Sequence, residues 1–161
     1  MKSNSTHPLW QPSLERMKAS NLKRFADRLE RNLGTRFNDY ESLHAWSCEA
    51  SDVFWAQIWQ FTEIRSSRQW DAVLSDADQF PAARWFEGAR LNFAENLLRH
   101  RSDKPALIAR LENGARKTLT YDELYQRVSE CAAGLRKLGV VRGDRVAGFM
   151  PNIPETIVAM L

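Results

Sequence analysis

Apolar residues recur at helical spacing through the first sixty positions and shift to short runs only after about residue 100. Leu22, Phe25, Ala26, Leu29 and Leu33 mark one helix, with Ser20 before it as a cap and Gly34 after it. Ser13 predicts a short helix through about Ala19, after an irregular lead-in from Pro8 to Pro12. Asp39 starts a third helix carrying Leu43 and Trp46, and Ser51 a fourth carrying Val53, Phe54, Trp55, Ile58, Trp59 and Phe61. The fourth is apolar nearly all round, so it is expected to be buried on more than one side. Residues 70–84 are polar and weakly patterned, which predicts a loop with one turn around Asp71 to Leu74.

The stretch from Trp85 to Leu98 separates two kinds of pattern. Gly88 permits a tight bend. Asn92 predicts a helix to about Arg99, with Glu95 in the third position of a capping box. Leu91, Phe93, Leu97 and Leu98 are its apolar anchors, and the whole reads as a hinge between a helical segment and an α/β layer. Ser102 to Pro105 breaks the helix. Ala106 to Leu111 then reads as a strand, Asn113-Gly114 as a hairpin turn and Lys117 to Leu119 as the return strand. Thr120 and Glu123 form a second capping box. The helix after it carries Leu124, Val128, Cys131, Ala132, Leu135 and Leu138 on one stripe and ends at Gly139. Gly143-Asp144 turns the chain into Arg145 to Met150, which is apolar enough for a strand. Pro154 suits the first turn of a last helix with Ile157, Val158, Met160 and Leu161.

These elements predict an α/β fold: an N-terminal helical segment, then a first β-hairpin and βαβ-like units. Leu161 falls inside an apolar helical run, and so short a sheet leaves its edges bare. The expectation is an N-terminal fragment of a longer protein.

Composition narrows the class. The 161 residues are 43% hydrophobic and 27% charged, which is globular rather than disordered. The net charge of +3 comes from interspersed signs, and no basic groove interleaves with the aromatic residues. Base stacking on single-stranded nucleic acid is therefore disfavoured for Trp46, Trp55, Trp59, Phe61, Trp70 and Trp85, which are expected to be packing anchors. Arg99-His100-Arg101 is expected to be a solvated helix end. Met1 to His7 has no apolar signal core and no run approaches a membrane span, so a cytoplasmic protein is expected. Cys48 and Cys131 form no Cys-x-x-Cys pair and are expected to be reduced and buried.

Candidate chemistry is sparse. The chain contains no Gly-x-x-x-x-Gly-Lys-Ser/Thr, no Gly-x-Gly-x-x-Gly and no Gly-x-Ser-x-Gly. His7, His44 and His100 are isolated, and Asp39, Asp122, Glu123 and Asp144 have sufficient explanations as cap, helix-start and turn residues. No residue is assigned a catalytic, cofactor-binding or metal-binding role.

Three blocks carry a resemblance. Trp46-Ser47, Phe54-Trp55, Trp59 and Phe61 resemble the segment that precedes the adenylating domain in acetyl-CoA-synthetase-like enzymes. Leu119 to Leu124, continuing through Gly139 to Ala147 and Met150 to Glu155, resembles the opening of the acyl-adenylate-forming superfamily. Gly88-Ala89 and Glu95-Asn96-Leu97-Leu98 are most similar to its acetoacetate–CoA ligase branch. The resemblance implies residues 1–84 as a helical N-terminal segment and 85–161 as the start of an AMP-binding domain. It implies ATP, CoA and Mg²⁺ in the full-length enzyme, with acetoacetate or a similar short-chain acid as substrate. It also implies that Ala106 to Leu111, Lys117 to Leu119 and Arg145 to Met150 share one sheet. The family's phosphate loop and acyl pocket would lie beyond Leu161, so the fragment alone is expected to be inactive and to bind none of these groups tightly. The alternatives are an acetate or propionate enzyme of the same class, or a non-catalytic binding module.

Overall fold

The computed structural model describes residues 10–161. Met1 to His7, and Pro8 and Leu9 of the lead-in, lie outside the described residues. The chain divides into two compact units: residues 10–64 with Gln69–Ala89, and Arg65–Arg68 with Arg90–Leu161.

The first unit begins with four helices, α1 (Leu14–Lys18), α2 (Asn21–Leu33), α3 (Tyr40–Glu49) and α4 (Ser51–Phe61). Their starts follow the predicted caps. Ser13 accepts from the Arg16 N–H and Ser20 from the Lys23 N–H. Asp39 accepts from the Ser42 N–H in a reciprocal capping box. α4 has no side-chain cap, since Ser51 is its first residue and Ala50 holds the cap position. Gly34 ends α2 in the left-handed region at φ 69°, where a side chain would be strained. Phe25, Leu29 and Leu43 form the buried core, with Phe37, Trp46, Phe54, Ile58 and Phe61 packed around them.

The expectation for α4 is met on two sides and corrected on a third. Phe54, Ile58 and Phe61 face the core, and Trp59 is buried against Trp70 and Phe86. Val53 and Trp55 remain exposed, since the Trp85 ring meets Trp55 only edge-on and does not cover it. The expected loop at 70–84 is also corrected. Ala72–Ser75 forms β1 and pairs antiparallel with β2 (Arg84–Glu87), setting Leu74 opposite Trp85. A four-residue strand inside a polar segment carries no alternation to detect. Its partner and the Trp59–Trp70–Phe86 cluster define it.

The second unit contains α5 (Phe93–Leu97), β3 (Pro105–Arg110), β4 (Arg116–Thr120), α6 (Tyr121–Lys137) and α7 (Pro154–Met160). β3 and β4 form the predicted hairpin, with Ile108 opposite Thr118 and Gly114 at φ 81° in the turn. Thr120 and Glu123 make the predicted capping box. Leu98, Leu124 and Val128 are buried, and Ala106, Leu107, Tyr125, Val158 and Leu161 pack on them.

Three expectations fail in this unit. Of the anchors Leu91, Phe93, Leu97 and Leu98, only Leu98 is buried, because α5 is five residues long and presents little surface inward. The α6 stripe fades past Ala132, and Leu138 is 81% exposed, since the hairpin and α7 cover only the first half of the helix. Arg145 to Met150 forms no strand: it makes no ladder with β3 or β4, and Val146 and Phe149 face solvent. An extended segment becomes a strand only through a partner. Among the described residues the sheet is therefore a hairpin, and the expected third member does not join it. The cysteine expectation is half corrected: both thiols are free, but Cys48 is exposed and Cys131 half-buried. No described helix is long and apolar enough to cross a membrane.

Candidate functional site

The stretch from Trp85 to Leu98 does not behave as one element. Trp85, Phe86 and Glu87 belong to β2 in the first unit, and the division falls between Ala89 and Arg90. Phe86 has φ 49°, a left-handed conformation that disfavours a side chain, followed by Gly88 at φ 80°. That backbone path aims the Phe86 ring at Trp59, 4.7 Å away between centroids, and Trp70, 5.4 Å away. Glu87 accepts from the Ser75 hydroxyl at 2.7 Å and pairs with Arg84, which also reaches Asp76 at 3.0 Å.

The C-terminal half is organised by two asparagines. Asn92 caps α5 by accepting from the Glu95 N–H at 2.8 Å; the return bond of a capping box is absent. Asn96 reaches across 31 residues. Its Oδ1 accepts from the Arg65 N–H at 2.8 Å, and its Nδ2 donates to the Arg65 carbonyl at 2.9 Å and to the Asn92 carbonyl at 2.9 Å. Sequence reading used Asn96 only as a mark of resemblance. Its structural role could not be found from spacing, because its partner is a backbone.

Around Met150-Pro151-Asn152-Ile153-Pro154-Glu155, local bonds fix a turn. The Thr156 hydroxyl donates to the Pro151 carbonyl at 2.6 Å, and the Ile153 N–H donates to the same oxygen at 2.9 Å. Glu155 bonds Lys117 of β4 and lies 3.7 Å from Arg127 of α6. The hydrogen bond from Lys117 holds its carboxyl below the usual carboxylate range. A small cleft of about 190 Å³ lies between Leu107 to Arg110 and the segment Asn152 to Pro154 with Ile157. On α6, Tyr125 is lowered from its ordinary value by a hydrogen bond with Ser129 and then by Arg101, whose guanidinium stacks 3.2 Å from the ring centre.

These features organise the backbone. Among the described residues no three His, Cys, Asp or Glu side chains converge on a metal position. The cleft is smaller than the ~300 Å³ at which ligand pockets begin, so neither ATP nor CoA is assigned to it. A larger groove of about 480 Å³ lies in the first unit among Leu14, Met17, Leu22, Phe37 and Tyr40, and is mainly apolar. His44 sits 3.8 Å from Cys48 along one face of α3, and His100 accepts from Arg99 at 3.1 Å.

Comparison with known proteins decides the class. Residues 40–97 match the family described as acetyl-coenzyme A synthetase N-terminus, and residues 93–161 match the AMP-binding enzyme family. The chain is thus similar to the AMP-binding enzyme family over its last 69 residues and to the acetyl-coenzyme A synthetase N-terminus over the stretch before them. It is 42% identical over 154 residues to the acetoacetyl-coenzyme A synthetase of Rhizobium meliloti, covering 96% of this chain and 24% of that protein. It is 38% identical over 160 residues to a malonamoyl-CoA synthetase of Penicillium aethiopicum, covering 95% of this chain and 22% of that one. The solved acetoacetyl-CoA synthetase of Streptomyces lividans superposes with a TM-score of 0.81 at 39% identity, over 96% of this chain and 24% of its own. The chain thus spans about a quarter of the length of the relatives it matches.

Proposed function

We propose that this chain forms the N-terminal portion of an ATP-dependent acetoacetate–CoA ligase. The observation that carries the reading is the match to acetoacetyl-CoA synthetases along 96% of the chain, in sequence and in fold. In the reaction, an acetoacetate carboxylate oxygen attacks the α-phosphorus of ATP and releases pyrophosphate. The CoA thiolate then attacks the acyl carbon and releases AMP. Mg²⁺ supplies charge neutralisation at the phosphates. In this reading none of these groups is assigned to the residues of this chain, whose contribution is to build the surroundings of the site.

Within this reading, 1–84 is taken as the helical segment and 85–161 as the start of the AMP-binding domain. The reading sets the reaction in the cytoplasm. Two experiments test it. The purified 161-residue chain is expected to release no AMP with acetoacetate, ATP and CoA, and acetoacetate-dependent release would overturn that part. Grafted in place of the matching quarter of the Streptomyces lividans protein, the chain is expected to preserve acetoacetate-dependent AMP release. A folded chimera that has lost it would overturn the assignment.

A second reading concerns the acid alone. The malonamoyl-CoA synthetase relative matches over nearly the same span. Acetoacetate and malonamate both carry a carbonyl on the carbon next to the methylene group, so a short 3-carbonyl acid is the wider substrate class. An enzyme carrying this chain that prefers acetate or propionate would exclude both.

A further inference from the structure

The chain passes into the second unit at Arg65, leaves it after Arg68 and returns at Arg90. Residues Arg65–Arg68 are therefore a four-residue strap with no regular structure of their own beyond one bridge to Arg90. We propose that Asn96 is a positioning residue that pins this strap and fixes the point at which the chain crosses from one compact unit to the other.

The geometry is that of a side chain standing in for a strand. A primary amide carries an acceptor and a donor side by side, as a peptide group does. Asn96 offers both to one residue, taking the Arg65 N–H on Oδ1 and giving Nδ2–H to the Arg65 carbonyl, at 2.8 and 2.9 Å. Its second Nδ2 bond, to the Asn92 carbonyl, ties the amide plane to the first turn of α5. The other end of the strap is closed by Arg90: its carbonyl accepts from the Ser67 N–H at 2.8 Å and its N–H donates to the Arg68 carbonyl at 3.0 Å. Arg65, Ser67 and Arg68 are exposed, so little apolar burial holds this backbone, and the hydrogen bonds must. Leucine could fill the space of Asn96 but could offer neither bond, and aspartate would keep the acceptor while losing the donor.

Trypsin reads the strap directly, because it cuts after Arg65 and Arg68 and needs an extended, released backbone. In the 161-residue protein, Asn96→Ala is expected to speed cleavage at these two bonds by roughly thirtyfold, as loss of two hydrogen bonds of ~1 kcal/mol each would. Asn96→Asp should lie between Ala and the parent. Cleavage after Arg127 and Arg136 in α6 should stay unchanged. Equal rates in Asn96→Ala and the parent would overturn the proposal. A rise that only follows an equal rise at Arg127 and Arg136 would overturn it too, since that reports unfolding of the whole unit. Should Asn96→Ala fail to fold, amide exchange on the parent decides. The Arg65 and Ser67 amides are expected to be protected despite their exposure, and exchange at free-peptide rates would sink the pin.

Discussion

The two compact units reach order by different routes. All six tryptophans belong to the first, where rings meet across long sequence separations: Trp59 with Trp70 and Phe86, Trp55 with Trp85, Phe25 with Phe61. The second has no tryptophan and a small aliphatic core of Leu98, Leu124 and Val128. Its elements are set by adjacent signals: a hairpin turn at Asn113-Gly114, a capping box at Thr120 and Glu123, and Gly139 at φ 85° after α6. One unit depends on a few distant ring contacts, the other on punctuation. Substitution of a ring should therefore damage the first broadly, and substitution of a cap should damage the second locally.

The largest effect should come from Leu29→Ala. Leu29 is fully buried between α2 and its neighbours, and emptying such a site costs about 2–5 kcal/mol. Because every tryptophan is in the first unit, the tryptophan fluorescence transition should move to lower denaturant. Leu124→Ala, in the second core, should leave that transition in place and show only in far-ultraviolet dichroism. If both variants shift the fluorescence equally, the units do not melt separately and the contrast fails.

Phe86→Ala should come next. The ring lies between Trp59 and Trp70 and is half-buried, so its loss should cost about 2–3 kcal/mol. Phe86→Gly relieves the positive φ that Ala retains. If ring contacts dominate, Gly and Ala should be similarly destabilised by urea titration. If the backbone dominates, Gly should recover most of the loss.

The same contrast explains what was legible in the sequence. Caps at Ser13, Ser20, Asp39, Asn92 and Thr120, the end of α2 at Gly34 and the β3–β4 hairpin all rest on neighbours within a few residues. Strand β1 was illegible because its order comes from β2, nine or more residues on, and Arg145 to Met150 misled because apolar composition names a strand without supplying its partner. The exposure of Leu138 was hidden for a similar reason: a stripe of apolar residues does not say how far its cover extends. For the candidate site, the discriminating residues Gly88 and Asn96 were visible, and their work was not. Asn96 acts on the Arg65 backbone, which any residue would present.

Thr120→Ala tests the punctuation. It removes the acceptor for the Glu123 N–H, 3.1 Å away, at the start of α6. A loss of about 1 kcal/mol is expected. Amide exchange should quicken through the first turn of α6 and leave the first unit's helices untouched. A change spread evenly over both units would show that the cap is not a local device.

The smallest and most selective test is acid. Both units carry a carboxylate cap, and both are held below their ordinary values. The Ser42 backbone bond lowers Asp39 from 3.8, and the Thr120 backbone bond lowers Glu123 from 4.5. A carboxyl whose pKa is lower when folded stabilises the folded state fully above its unfolded value, and that contribution fades as pH falls through the folded value. The Glu123 contribution should therefore begin to fade below about pH 4.5 and the Asp39 contribution only below about 3.8. On acidification the start of α6 should fray before the start of α3, seen as earlier loss of protection at the Thr120 amide, held by the Glu123 carboxylate, than at the Ser42 amide, held by the Asp39 carboxylate. Glu123→Gln keeps an acceptor for the Thr120 N–H but cannot titrate, so it should flatten the α6 response and leave α3 unchanged. Simultaneous fraying in the parent protein, or an α6 response that survives in Glu123→Gln, would mean that acid acts on the units through something other than their caps.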